Sequence, residues 1–239
     1  MKLKNQVVIS DFFLRVYGLI PPYVLHNLGK AKVLKMTFWH LNLDQIEGAY
    51  VEFGVASGNS MRSAEIAERR SYSNSLGIKR IKRNLYGFDT FSEFSSQSAD
   101  DLHKVWSGSD FSVDLDRVSR RFKKNKQRIS LYKLDLSKVY PEKQNLQLFI
   151  REEYIAVVLL DMDLGDPTYK ALQWIAPKLT SGSIIIFDEF FAFAGDPNKG
   201  EHHAWNLFLR DHPEIDYREF FHYGDGGVAF QITISKTTS

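Results

Sequence analysis

The chain has 239 residues, 44% hydrophobic and 25% charged, with a formal net charge of +2. That length suits one large domain, or one domain with an extension, and the composition excludes disorder as the default reading. The balanced charge gives no ground for a nucleic-acid partner, and the absence of cysteine excludes disulfides, thiolate metal sites and cysteine nucleophiles.

In chain order, residues 1–47 read as short helices forming an N-terminal extension, broken at "PPY" (21–23). The start faintly resembles a signal peptide. Asp11 and Arg15 interrupt its apolar stretch, no clean cleavage site follows, and no run approaches the ~20 apolar residues of a membrane helix, so a cytoplasmic protein without a membrane partner is expected. The main domain, 48–239, then alternates. "AYVEFGV" (49–55) is a buried strand, and 57–70 a helix with Met61, Ile66 and Ala67 inward. "NLYGFD" (84–89) is a second strand, 99–124 a helical stretch broken near 107–110, and "RISLYKLD" (128–135) a third strand with a polar helix after it to about 153. "YIAVVLLD" (154–161) is a fourth strand, followed by a helix over 166–179 with Asp166 as its N-cap; "GSIIIFDEF" (182–190) is a fifth, with a helix near 200–211. Two last strands, 217–223 and 228–235, flank the Gly-rich turn "GDGG".

Near-continuous apolar strands separated by helices imply a parallel, doubly wound α/β sheet covered on both faces, here closing on an antiparallel hairpin. The basic runs "IKRIKR" (78–83) and "RRFKKNKQR" (120–128) read as solvated helix ends and loops.

Ligands of such sheets bind beyond the carboxyl ends of the strands. The first strand ends in "VEFGVASGNS", where Gly54 and Gly58 permit close backbone approach ahead of a helix N-terminus. Ala56 stands where a dinucleotide loop needs glycine, and no Walker lysine is present, so the loop suits a ligand without a pyrophosphate. Asp89 ends strand two, where a carboxylate can accept from ribose hydroxyls, and Asp135 ends strand three, where it can meet an adenine amino group. Together these outline a slot for S-adenosylmethionine.

"YVEFGVASGNSMRSAEIA", "YGFDTFSEF" and "VVLLDMDLGDPTYKALQWIAPKLTSGSIIIFDEF" resemble the class I S-adenosylmethionine-dependent methyltransferases, and within them the macrocin O-methyltransferase family. The resemblance spans about 48–190. It implies a Rossmann-like seven-stranded methyltransferase sheet, S-adenosylmethionine as donor, a divalent metal, and a sugar-containing or polyhydroxylated natural product as the small-molecule acceptor. In that reading Glu52, Gly54, Val55, Ala56, Ser57, Gly58 and Ser60 hold the methionine part, Asp89, Thr90 and Phe91 the ribose, and Asp135 and Leu136 the adenine side.

Asp161 ends strand four, and Asp188 and Glu189 end strand five, at one rim of the sheet. Crowded carboxylates repel unless a cation neutralises them, and all-oxygen ligation suits Mg²⁺ or a similar hard ion. The resemblance carries Asp161, Asp188 and Glu189 over as metal ligands, with Asp161 also able to take the acceptor's proton; the family's pattern is Asp-Asp where this chain has Asp188-Glu189. Asp163 is expected to point away from Asp161, and His202, in "GEHHAW", is a second candidate general base. Trp39, Trp106 and Trp205 read mostly as core, and the aromatics of 190–194 as a stacking surface for the acceptor. The apolar extension has two expected partners, its own domain or a second subunit of a homo-oligomer.

Three other readings stay open. Asp161-Met162-Asp163 also fits a metal-dependent glycosyltransferase, but leaves Gly54, Gly58 and Asp89 idle. A haloacid-dehalogenase-like phosphatase shares the same D-x-D, though its later acids usually lie much farther on. A non-catalytic methyltransferase-like binding module would have to keep three repelling carboxylates without using them.

Overall fold

The computed structural model describes residues 14–92, 113–138 and 148–235. Its helices are α1 (Pro22–Leu43), α2 (Asn59–Arg70), α3 (Leu115–Arg121), α4 (Gly165–Ile175) and α5 (Gly200–Asp211). Its strands are β1 (Ala49–Phe53), β2 (Leu85–Asp89), β3 (Ile129–Lys133), β4 (Ile155–Leu160), β5 (Leu179–Phe187), β6 (Ile215–Tyr223) and β7 (Gly227–Ile234). They form one seven-stranded sheet in the order β3-β2-β1-β4-β5-β7-β6. The pairs from β3 through β5 are parallel, and β7 runs antiparallel between β5 and β6. Strand order reverses between β1 and β4, so the carboxyl ends of those strands frame the crevice where ligands of open α/β sheets bind.

Both central strands are buried along their whole length, as their unbroken apolar runs require. On one face, α4 and α5 pack Trp174, Ile175, Trp205 and Phe208 against Phe53, Phe88 and Phe187. On the other, α2 brings Met61, Ala64 and Ala67 onto Tyr50, Val157 and Ile186. Ile66, expected inward, is 46% exposed; the inward helix face is continued by Glu65 and Glu68 instead.

The N-terminal extension differs most from expectation. Residues 14–18 are helical, and beyond the proline break one 22-residue helix, α1, takes the place of several short ones. Pro22 sits in its first turn, where a missing N–H costs nothing, so the "PPY" break starts the helix. Val33, Leu34, Phe38 and Leu41 from α1 join the core beside α2 and β4, each contributing about 1.5–3 kcal/mol by burial. The extension therefore packs on its own domain, leaving Leu19, Tyr23 and Leu28 exposed at its outer end.

The basic runs are only partly solvated. Arg80 and Arg128 each reach Glu68 Oε2 at 2.8 Å, and Glu68 is fully buried. Arg83 is 2% exposed, donates to Asn42 Oδ1 at 2.9 Å and also bonds the Ile46 carbonyl, tying the end of α1 to the sheet. Asp166 lies inside the first turn of α4, whose N-cap is Leu164. There it faces the positive helix end and pairs with Lys170 at 2.9 Å. The expected helical stretches over 99–124 and up to 153, and Trp106, fall partly or wholly outside the described residues; the described parts hold α3 and a 3₁₀ turn, Leu136–Lys138. Among the described residues, no helix is long and apolar enough to cross a membrane.

Candidate active site

The first turn is shaped by two glycines in the left-handed region. Gly54 has φ 88°, and a Cβ there would lie 1.7 Å from the Asp161 carbonyl oxygen. That contact is the close approach of β1 to β4, fixed also by the Asp161 N–H donating to the Phe53 carbonyl at 2.9 Å. Gly58, φ 79°, caps α2 with no side-chain acceptor, leaving a helix N-terminus turned toward the crevice. Ala56 and Ser57 are exposed in the turn between them.

Asp89 clasps this turn. Its Oδ2 accepts from the Ala56 N–H at 2.8 Å and its Oδ1 from the Phe91 N–H at 2.6 Å. Each carboxylate oxygen has a second acceptor position, so hydroxyls of a ribose can still be received. Glu52 is fully buried beneath the turn, its Oε2 accepting from Tyr50 Oη and its Oε1 from Ser60 Oγ, both at 2.6 Å. Burial pushes its carboxyl up to about 8, more than those hydrogen bonds lower it. Val55 and Phe91 point into the α1–α2 core, and Leu136 into the opposite one, so these three offer only backbone to the crevice. Thr90 Oγ1 donates to the Ser92 carbonyl at 3.1 Å, and Asp135 pairs with Lys138 at 2.8 Å at the end of β3.

The acidic strand ends do meet, around a cation that the sequence reading missed. Lys30 Nζ, from α1, lies 2.7 Å from Asp161 Oδ2 and 2.5 Å from Asp188 Oδ2. One helical turn earlier, His26 Nε2 meets Asp188 Oδ1 at 3.0 Å, and its Nδ1 meets Asp225 Oδ1 at 2.6 Å. Tyr223 Oη donates to the same Asp188 Oδ1 at 2.6 Å. Burial alone would raise the Asp188 carboxyl, but His26 and Lys30 together hold it well below the usual carboxylate range. The same pair of carboxylates raises Lys30 against its own burial.

Farther out, the acids are progressively harder to ionise. Burial and the neighbouring Asp188 push Asp161 to about 6 despite Lys30, and burial with Asp161 and Asp188 pushes Asp163 to about 7. Asp163 adopts φ 64°, which turns its side chain into the cluster and onto a hydrogen bond with Glu189, against the expectation that it points away. Burial first, then the neighbouring acids, raises Glu189 and Glu201 well above the ordinary range. The Glu189 N–H donates to Glu201 Oε2 at 3.0 Å, and Glu189 Oε2 is buried without a partner.

The expected metal can be tested against this arrangement. A Mg²⁺ ion shared by Asp161 and Asp188 would need the position of the Lys30 ammonium, since Mg–O distances of about 2.0–2.1 Å leave no room for both cations between two oxygens. Ligand atoms of His26, Asp188 and Glu189 gather within 4.8 Å, but His26 Nε2 and Asp188 Oδ1 already bond each other. The residues as arranged do not fit an ion bridging Asp161 and Asp188.

His202 stacks on Phe190 with ring centroids 4.3 Å apart, and burial lowers its pKa. Its Nδ1 is buried without a hydrogen-bond partner. Trp205 is core, at 1% exposure, and Phe191 is 42% exposed.

His26, Lys30, Tyr223 and Glu201 were missed. The signal for the first two was faint: they share a helix face with Val33, Phe38 and Leu41, at i and i+4, but the buried side of α1 also carries Thr37 and Asn42, so no clean apolar stripe marks it.

A doubly wound sheet of this strand order, with a Gly turn after β1 and acids closing β2 and β4, defines the Rossmann-like methyltransferases. The profile of one family within that class, Macrocin-O-methyltransferase (TylF), matches residues 20–212, and the chain belongs to it. It is thus an S-adenosylmethionine-dependent O-methyltransferase.

Among solved structures, the O-methyltransferase NovP is similar with TM-score 0.64 and 19% identity, over 86% of this chain and 80% of that one. The calicheamicin methyltransferase CalS11 has TM-score 0.60 and 22% identity, over 84% and 77%. Its apo structure, described as a TDP-rhamnose 3'-O-methyltransferase, has TM-score 0.53 and 24% identity, over 88% and 83%. A comparison with curated proteins finds no match.

Proposed function

We propose that the enzyme methylates a hydroxyl of a sugar, or of a glycosylated small molecule, with Asp161 as the group that receives the hydroxyl proton. The observation that carries this reading is the position of Asp161. Its side chain keeps 23% of its surface exposed, and its main chain touches the Gly54 turn. Proton acceptor and donor loop thus share one piece of backbone, which fixes their spacing.

In the step itself, a lone pair of the acceptor oxygen forms the new O–CH₃ bond as the S–CH₃ bond breaks. The electron pair stays on sulfur, giving neutral S-adenosylhomocysteine, and the hydroxyl proton passes to the Asp161 carboxylate. The sulfonium is already activated, so the protein's work is alignment and proton removal. In this reading Gly54–Gly58 and the α2 N-terminus receive the methionine part, Asp89 the ribose hydroxyls, and the β3 end at Asp135 the adenine. Glu52 supports the turn from below. His202, stacked on Phe190 with its pKa lowered by burial, is not assigned the proton in this reading. A sugar acceptor is supported by the family and by the rhamnose substrate printed for CalS11. A glycosyltransferase reading still leaves the Gly54–Asp89 clasp without a role.

The test is calorimetry with S-adenosylhomocysteine, followed by mass spectrometry of methyl transfer to a panel of nucleotide-activated deoxysugars. Binding that is lost in Asp89→Ala supports the donor site. Asp161→Asn is expected to lower turnover by about 10²–10⁴-fold with donor binding largely kept. Failure of the wild type to bind S-adenosylhomocysteine, or sugar transfer in place of methyl transfer, would reject the reading.

A further inference from the structure

We infer that Lys30 is the resident cation of this site and that the enzyme works without a divalent ion between Asp161 and Asp188. The inference rests on the methyltransferase reading above and concerns what neutralises its acidic strand ends.

The ammonium sits where a metal would have to sit, 2.7 Å from one carboxylate and 2.5 Å from the other. Lys30 is not a surface side chain that has folded over the site. It is 6% exposed, and its helix is anchored on both sides of it. His26 pins α1 to Asp188 and to Asp225 of the β6–β7 turn, and Val33, Leu34 and Phe38 pin it to the core. Gly29 removes the last obstacle, because a Cβ there would lie 3.1 Å from the Gly224 nitrogen and 3.3 Å from Tyr223 Cβ. Swinging Lys30 away would leave a buried ammonium unpaired or require α1 to lift from the sheet. Asp188 is largely occupied as well: Oδ1 receives His26 and Tyr223, and Oδ2 receives Lys30, which leaves one acceptor position on Oδ2.

An ammonium differs from a metal in what it asks of the acceptor. It has three donors, the two carboxylates take one each, and the third can meet the acceptor oxygen beside Asp161. A single hydroxyl satisfies that geometry, and no neighbouring hydroxyl is needed to complete a chelate. The acceptor class is therefore a lone sugar hydroxyl, with a deoxygenated neighbour tolerated.

Mn²⁺ serves as the probe, read by electron paramagnetic resonance, with S-adenosylhomocysteine binding measured on the same samples. Neither measurement needs the acceptor. The wild type is expected to bind S-adenosylhomocysteine equally in EDTA and to hold Mn²⁺ no tighter than about 1 mM. Lys30→Met keeps the apolar stem and removes the charge, and is expected to bind Mn²⁺ at least about tenfold tighter. A wild type that binds S-adenosylhomocysteine and also one tight Mn²⁺, lost in Asp161→Asn, would overturn the inference and leave the methyltransferase reading intact. So would a folded Lys30→Met that binds S-adenosylhomocysteine with no gain in Mn²⁺ affinity. Should Lys30→Met not fold, the wild-type Mn²⁺ measurement decides alone. Loss of S-adenosylhomocysteine binding in the wild type is the separate failure of the underlying reading.

Discussion

Tyr223 Oη and Asp188 share a 2.6 Å hydrogen bond across the β5–β7–β6 edge, and the same phenol also donates to the Phe187 carbonyl at 3.1 Å. The last residue of β6 thereby holds the residue that follows β5, on the oxygen that His26 also meets, with the His26 and Tyr223 rings 5.4 Å apart. A carboxylate held by three side chains from two elements, α1 and β6, is fixed in place, so the position of Lys30 is inherited from the hairpin as much as from α1.

Tyr223→Phe removes one donor to a buried charge and leaves the ring in place. The expected cost is about 1.5 kcal/mol, read as a fall in Tm of roughly 4 °C for a domain of this size. Asp188 would lose part of what holds its pKa down. Its stabilising contribution exists above the ordinary carboxylate value and disappears as pH falls through the folded value, so the variant should also unfold at a higher pH during acid titration. An acid midpoint identical to that of the wild type would contradict this account of Asp188.

Gly54→Ala places a methyl group on the Asp161 carbonyl, at a φ that side chains rarely adopt. Backbone meets backbone there, so no rotamer can relieve the clash. A loss of about 3 kcal/mol or more is expected, together with loss of S-adenosylhomocysteine binding, measured by urea unfolding and calorimetry. Gly77→Ala is the control, because nothing lies within 4 Å of its Cβ position although φ is also positive. Equal losses in the two variants would show that φ strain, and not the approach of β1 to β4, is what Gly54 relieves.

Glu52 gives a pH signature. The folded protein keeps the proton of this carboxyl up to about 8, whereas an unfolded chain releases it near 4.5. Stability contributed by this group is therefore lost as pH rises from about 4.5 to 8 and is level outside that window. Glu52→Gln imitates the protonated form, and the Tyr50 and Ser60 hydroxyls can each donate or accept. The variant should melt about 5 °C higher than the wild type at pH 8.5, with no difference near pH 4, by differential scanning fluorimetry. A gap that stayed constant across pH would mean that Glu52 does not change its proton affinity on folding.

Much of this protein is written locally. Unbroken apolar runs such as Ile155–Leu160 can be buried only as central parallel strands, and the Gly54 and Gly58 turn with Asp89 two elements later follows from where such strands end. The excess of acid after β4 and β5 was likewise visible, because strand ends that are neighbours in the sheet must bring Asp161 and Asp188 together. The identity of the cation between them was not. Lys30 lies 131 residues before Asp161 and 158 before Asp188, on a helix whose docking depends on the sheet face, the β6–β7 turn and the absence of a side chain at Gly29. Apolar periodicity in α1 is too weak to mark its buried face, which includes Lys30, Thr37 and Asn42, so packing decides both which face is buried and what it is buried against. Carboxylates in a low-dielectric rim need a counter-charge, and the tertiary fold decided that the chain would supply it from its own first helix.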